Sequence, residues 1–199
     1  LARRVVVLGA ESSGTTTLAR ALAAAYRARG GVWAATRWVP EYGRELTGRK
    51  LAALRATRPP ATVFDVTWTP ADFVDVAHTQ NAWADAAARE GSPLLIGDTD
   101  VLATTVWQER YLGAASPEVR AAVRPADLYL LTSHEGVPFE DDGLRDGEHV
   151  RAWMTARFAE VLAPHPHVVL TGPPERRLAD AVTACDALLA RGWHFGPRI

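Results

Sequence analysis

Residues Gly9 to Thr17 read G-A-E-S-S-G-T-T-T and directly follow the apolar run Val5-Val6-Val7-Leu8. This is the spacing of a phosphate-binding loop, G-x-x-x-x-G-K-[ST], in which backbone amides and a helix N-terminus grip phosphate oxygens. Gly9 and Gly14 hold the glycine positions, and Thr16 holds the hydroxyl position that serves a magnesium ion. Glu11, Ser12, Ser13 and Thr17 complete the stretch expected to wrap the phosphates. Thr15 stands where the pattern has lysine, and the 22 basic residues of the chain include only one lysine, Lys50. Arginine must therefore carry nearly all cationic work. Amide donors and the helix dipole survive any side-chain change, so phosphate binding is expected to persist while transfer chemistry needs a substitute cation. The plain alternative is a Ser/Thr-rich turn that caps a helix.

Three more polar clusters follow apolar runs. Glu41-Tyr42-Gly43-Arg44 comes after Pro40; Glu41 could accept a proton from a hydroxyl or hydrogen-bond a sugar, or else simply pair with Arg44 on a turn. Asp98 ends the run Pro93 to Ile96 plus Gly97, where a carboxylate can hold Mg²⁺ directly or through water; Asp98 or Asp100 could equally cap the next helix. The third cluster runs from Glu140 to Arg145 and leads on to Arg151, a charged and glycine-rich stretch that reads as a flap over residues 134–151. Arg145 and Arg151 on such a flap could close over a transferred phosphoryl group, or Arg145 could pair with Asp141 or Asp142 on a solvated turn. Trp38 and Trp107 lie near these clusters and could stack on a flat ring, although aromatic residues in such elements more often serve the core. The histidines show no metal-ligand spacing with the single cysteine, Cys185, so zinc is not expected.

The elements that must position these residues alternate. Strands are expected at Arg4 to Leu8, Val32 to Val39, Pro93 to Ile96, Asp127 to Thr132 and Val168 to Thr171. Helices are expected at Thr15 to Arg29, Arg44 to Ala56, Phe73 to Arg89, Glu148 to Leu162 and Pro174 to Ala190. Thr69-Pro70-Ala71-Asp72 has the form of a helix start, a capping hydroxyl with proline in the first turn. Such alternation implies an α/β fold, a central parallel sheet with helices on both faces, whose ligands sit beyond the carboxyl ends of the strands. Each polar cluster falls at such an end.

Composition narrows the classes. With 199 residues, 48% hydrophobic and 23% charged, the chain fits one domain over residues 1–199. A net charge of −1 gives no basic field for nucleic acid. One cysteine excludes an internal disulfide, no apolar stretch reaches membrane-spanning length, and the cytoplasm is the expected location. Oligomeric state is not readable from these features.

The loop, together with P-E-Y-G-R-E at 40–45, A-H-T-Q at 77–80, D-T-D-V-L-A-T-T at 98–105, Y-L-G at 111–113, D-L-Y-L-L and D-G-L-R, resembles the ribosylnicotinamide kinase domain of NadR-type NAD-biosynthesis proteins. The similarity spans roughly Arg4 to Arg151 and rests on the order of several motifs. It implies a three-layer P-loop NTPase-type fold and transfer of the γ-phosphoryl of ATP to the 5′-hydroxyl of nicotinamide riboside, a small-molecule acceptor. By the same resemblance Glu41, Tyr42, Arg44 and Asp100 would lie near the riboside and Asp98 near the metal; Trp107, from its place near the clusters, is a further candidate to bind the substrate. The mechanism expected from the two readings has ATP and Mg²⁺ on Gly9 to Thr17, with Thr16 and Asp98 on the metal. Either Glu41 or Asp100 deprotonates the acceptor, and Arg145 and Arg151 close over the phosphoryl group. Members of the family carry lysine at the position of Thr15, and the H-x-G-H signature of an adenylyltransferase does not occur in these residues. A nucleotide sensor without transfer activity, or a kinase for another nucleoside, are the alternative readings.

Overall fold

The computed structural model describes residues 2–90 and 92–192. Five strands form one sheet: β1 (Arg3–Gly9), β2 (Arg37–Val39), β3 (Leu94–Asp98), β4 (Leu128–Thr132) and β5 (His167–Leu170), in the spatial order β2-β3-β1-β4-β5. All pairings are parallel; Val7 lies opposite Asp98 on one side, and Gly9 opposite Thr132 on the other. Seven α-helices connect and cover them: α1 (Thr15–Arg27), α2 (Tyr42–Thr57), α3 (Pro70–Arg89), α4 (Val101–Leu112), α5 (Pro117–Ala121), α6 (Arg151–Leu162) and α7 (Pro174–Ala190). The outcome is the expected α/β three-layer architecture.

Alternation within β1 divides the core. Val5 and Val7 face α1 and α7, packing on Leu18, Leu22, Tyr26, Ala181 and Cys185. Val6 and Leu8 face the other way, onto Val106 of α4 and Met154, Phe158 and Leu162 of α6. A strand buried on both faces reads as a continuous apolar run, which is why Val5 to Leu8 shows no polar alternation. A third cluster joins α3, α4 and α5 through Phe73, Ala77, Val101 and Val119, with Trp68, Trp107 and Tyr111 against it.

Two expected elements are corrected. The second strand is confined to Arg37–Val39, because Gly30 and Gly31 take positive φ and Gly31–Trp33 forms a 3-10 turn. The Trp33 carbonyl then accepts from the Thr36 amide at 2.9 Å and the Thr36 hydroxyl at 2.7 Å, closing that turn before the strand begins. The helix expected from Glu148 starts as a 3-10 turn at Glu148–Val150 and becomes α-helical only at Arg151. Helices α4 and α5 had no assignment in the sequence reading; α4 begins immediately beyond the acidic cluster.

Two close approaches fix the carboxyl ends of β1 and β3. A Cβ on Gly9 would stand 2.3 Å from Thr132 Oγ1 and 2.6 Å from Ser13 Oγ, so only glycine lets the loop leave the sheet here. Asp100 is the N-cap of α4: its Oδ1 accepts from the Ala103 amide at 3.1 Å, and its Oδ2 accepts from the Tyr129 hydroxyl at 3.0 Å. Asp100→Ala is expected to lower unfolding free energy in urea by about 1–2 kcal/mol, through the lost cap and the lost acceptor for the Tyr129 hydroxyl, which keeps only the Ala126 amide. Asp100→Asn, which keeps a capping oxygen, is expected to cost less than half as much.

Candidate active site

The loop between β1 and α1 is built around Ser13. Its hydroxyl lies 2.7 Å from Thr132 Oγ1 and donates to the Ala10 carbonyl at 2.6 Å, and its amide donates to the same carbonyl at 3.2 Å. Gly14, at φ +87°, turns the chain into α1, and no side chain caps that helix. The first-turn amides of α1 are thus open to a ligand, the arrangement that binds anions. Two arginines hold the loop from behind through its carbonyls. Arg151 donates to Ser12 O at 3.1 Å and also to Val137 O and His134 O; Arg177 donates to Ser13 O at 2.8 Å and to Gly172 O at 2.7 Å.

Two cavities meet at this loop. One, with about 950 Å³ of empty space partly open to solvent, lies over the ends of β1 and β3 against α2, α3 and α4. The other, about 1690 Å³, lies between the loop, residues 135–140 and the start of α7. Ser12, Thr15, Thr16 and Arg145 line both. The Arg145 guanidinium reaches the loop, donating to Ser12 Oγ at 3.3 Å and the Glu140 carbonyl at 2.6 Å.

The first cavity carries two neighbouring carboxylates. Asp98, 2% exposed at the end of β3, keeps one carboxylate oxygen without a hydrogen-bond partner. Burial raises its pKa, opposed by the Thr16 and Thr15 hydroxyls and by Arg20 and Arg44. Glu41 occupies the N-cap position of α2, yet its side chain makes no capping bond and faces the cavity. Burial, reinforced by the like charge of Asp98, pushes its carboxyl up to about 8 against the pull of Arg44. Thr99, between Asp98 and Asp100, is held at φ +71°, a conformation rare for a β-branched residue and common at working sites.

The other expected residues are distributed unequally. Arg44 and Trp107 line the first cavity, with Arg44 ion-paired to Asp142. Tyr42 and Asp100 do not line it. The Tyr42 hydroxyl donates to Asp75 at 2.8 Å and its ring packs edge-on against Trp83 at 5.1 Å, which anchors α2 on α3. Asp100 is committed to its cap and to Tyr129. Arg151 is 8% exposed and spent on carbonyls, while Arg145 reaches the cavity. Trp38 packs in the core beneath Arg20. Gly9, Glu11, Ser12, Thr15 and Thr16 line the first cavity; Ser13, Gly14 and Thr17 line the second.

Sequence reading missed the aromatic wall. Trp68, Phe73 and Tyr111 join Trp107 on one side of the first cavity, with Trp107 and Tyr111 near-parallel at 18° and 6.4 Å and Trp68 5.4 Å from Tyr111. Lys50 Nζ lies over Trp68, and the Arg110 guanidinium over Trp107 and Tyr111. Also missed was Arg110 itself. It pairs with Glu11 at 3.1 Å and Asp146 at 2.5 Å, Glu11 accepts from the Gly147 amide at 2.6 Å, and Tyr111 donates to Asp146 at 2.9 Å. This latch ties the loop to residues 146–147. The Y-L-G motif at 111–113 was its only signal in the sequence.

Among the described residues no group of three or more His, Cys, Asp or Glu side chains is gathered as a metal cage, and no helix is long and apolar enough to cross a membrane. Two solved NadR structures, one in complex with NR and one with NAD and AMP-PNP, match with TM-scores of 0.63 at 18% identity, over 98% and 99% of this chain. The chain spans about half the length of those chains, 53% and 52%. Thymidylate kinase from Ehrlichia chaffeensis matches with the same TM-score at 13% identity, over 92% of this chain and 98% of its own. These likenesses establish the P-loop kinase type of fold. Residues 4–177 match the AAA domain family, AAA_28, and the chain belongs to it.

Proposed function

We propose that the chain is an ATP-dependent kinase that phosphorylates the 5′-hydroxyl of nicotinamide riboside, giving nicotinamide mononucleotide. The observation that carries this reading is the meeting of two cavities at Thr15, Thr16 and Arg145, with Glu41 and Asp98 on one side of the junction. The larger cavity suits the base and ribose of ATP, with its phosphates on the amides of Gly9 to Thr17. The smaller, with its aromatic lining and its two carboxylates, would take the nucleoside.

Its chemistry favours a flat, positively charged ring. Trp68, Phe73, Trp107 and Tyr111 line it, three of them with Lys50 or Arg110 over a ring, and the carboxylates of Glu41 and Asp98 line it as well. Arg44 and Arg145 share the single carboxylate of Asp142, which answers one of their two charges and leaves the other for the transferred phosphoryl group. A pyridinium nucleoside fits this balance better than a nucleotide does.

In the proposed reaction the acceptor oxygen attacks the γ-phosphorus, the bond from that phosphorus to the β,γ-bridging oxygen breaks, ADP leaves, and the hydroxyl proton passes to Glu41. Glu41, not Asp100, is the proton acceptor, because the Asp100 carboxylate is occupied by Ala103 and Tyr129. Thr16 and the unpartnered oxygen of Asp98 are hard donors suited to Mg²⁺, which would supply charge neutralisation at the phosphates. Arg145 faces the phosphoryl group from residues 134–151, acting as a lid, and Arg151 holds the base of that lid to the loop.

A coupled assay of ADP formation against a panel of nucleosides tests the reading: turnover with nicotinamide riboside is expected, and none with any nucleoside would end it. The variant Glu41→Gln should lower kcat by roughly 10²–10⁴-fold. In the parent, kcat/KM should rise with pH through a midpoint near 8, and this limb should vanish in the variant. The same group leaves a mark on stability. Its carboxyl keeps a proton in the folded chain between its ordinary 4.5 and about 8, where the unfolded chain has lost it, so stability falls as pH rises through that window. Glu41→Gln should therefore be more stable than the parent above that window and no different below it, as read by urea unfolding. Thr15→Lys separates a kinase from a sensor: a kinase adapted to threonine should change its rate without losing the reaction, whereas a degenerate binder should remain inactive.

A further inference from the structure

Glu41 sits where a helix ordinarily uses the side chain of its first residue to satisfy its own amides. At the start of α2 it does not do so. The carboxylate is turned to the cleft, and the task of satisfying the helix start falls to another element. Gln80, 3% exposed on α3, supplies it: the Tyr42 amide donates to Gln80 Oε1 at 2.9 Å, and Gln80 Nε2 donates to the Pro40 carbonyl at 3.0 Å.

These two bonds grip the peptide groups on either side of Glu41. The Pro40 carbonyl belongs to the peptide that enters Glu41, and the Tyr42 amide to the peptide that leaves it. A single planar amide offers a donor and an acceptor at once, so glutamine can hold both where an ionised glutamate could only accept and an aliphatic side chain could do neither. The same face of α3 supports the grip, through Asp75 on the Tyr42 hydroxyl and Trp83 on its ring. Glutamine 80 is also the last residue of the A-H-T-Q motif, to which the reading of the active site gave no role.

We propose that Gln80 is a positioning residue for Glu41: by capping α2 from outside and fixing both flanking peptides, it frees the Glu41 carboxylate from capping and aims it into the acceptor cavity. This rests on the reading of Glu41 as the proton acceptor. The phosphate loop is built from other elements, so Gln80 has no part in holding ATP.

The test compares Gln80→Met and Gln80→Asn with Glu41→Gln, using nicotinamide riboside as acceptor. Methionine keeps the length without either bond, and asparagine keeps the amide but is too short to span both groups. In each, kcat should fall by about 10–100-fold, as a misplacement on the order of 1 Å can cause, with KM for ATP unchanged. The acid limb of kcat/KM should move from about 8 toward 4.5, because a Glu41 released from its aim turns to water. A side chain that merely stabilised the fold would lower the folded fraction without moving that limb. The Glu41 carboxyl, followed by ¹³C NMR and identified by its loss in Glu41→Gln, should show the same downward shift without any need for turnover. If the midpoint stays where it is in a folded Gln80 variant, by either readout, the proposal falls; should the methionine variant fail to fold, the asparagine variant decides. Wild-type kcat in Glu41→Gln would instead overturn the role of Glu41 in transfer, and the NMR shift would still decide whether Gln80 aims it.

Discussion

Two carboxylates buried side by side against a loop of amide donors set the terms for the whole molecule. Asp98 at the end of β3 and Glu41 just beyond β2 share one poorly solvated cavity; burial makes both harder to ionise, and the charge of Asp98 adds to this at Glu41. Burying such groups costs stability unless charge or hydrogen bonds answer them. The fold answers only in part, with threonine hydroxyls, Arg20 and Arg44 nearby and one Asp98 oxygen left unpartnered. The apolar sheet on both faces of β1 and the aromatic wall beyond it sustain this cost. A kinase reading gives the unanswered charge a use, since a proton and a cation are what these groups would receive.

The near absence of lysine has a structural counterpart. Four arginines from three separate stretches, α4, residues 134–151 and α7, converge on one loop, but they do different things. Arg151 and Arg177 hold its carbonyls, Arg110 holds its glutamate, and Arg145 alone of the four faces both cavities. Planar forks with several donors suit such bridging better than a flexible ammonium does. Most of this cationic charge therefore stiffens the loop and so keeps its amides in place for an anion.

Much of this was legible from the chain alone. The strand-loop-helix from Val5 to Thr17, the parallel α/β fold and the placing of polar clusters at strand ends follow from local apolar runs and turn chemistry. The boundaries that moved did so for local reasons as well, with two glycines of positive φ shortening β2. What could not be read was which side of an element each polar residue presents. Tyr42 and Arg44 lie two apart on α2, yet one anchors the helix on α3 and the other faces the cleft. Asp98 and Asp100 divide in the same way about Thr99, whose positive φ sends their side chains to different surroundings. Trp68, just before α3, meets Tyr111 only because α3 and α4 pack together, and the partners of Arg110 lie 99 and 36 residues away. Spacing along the chain carries no trace of such distant meetings.

The grip of Arg151 on Ser12, His134 and Val137 has a mechanical meaning for the proposed lid. A swing that started at residue 134 would pull on the very backbone whose amides face the nucleotide. One that starts beyond Val137 leaves it at rest and has the Ser12 hydroxyl, the latch of Glu11, Arg110 and Tyr111, and the Arg44–Asp142 ion pair to release. On the proposed reading the doorway would be short-hinged, so that a spent nucleotide could leave and a fresh one enter without the cradle being rebuilt between turnovers.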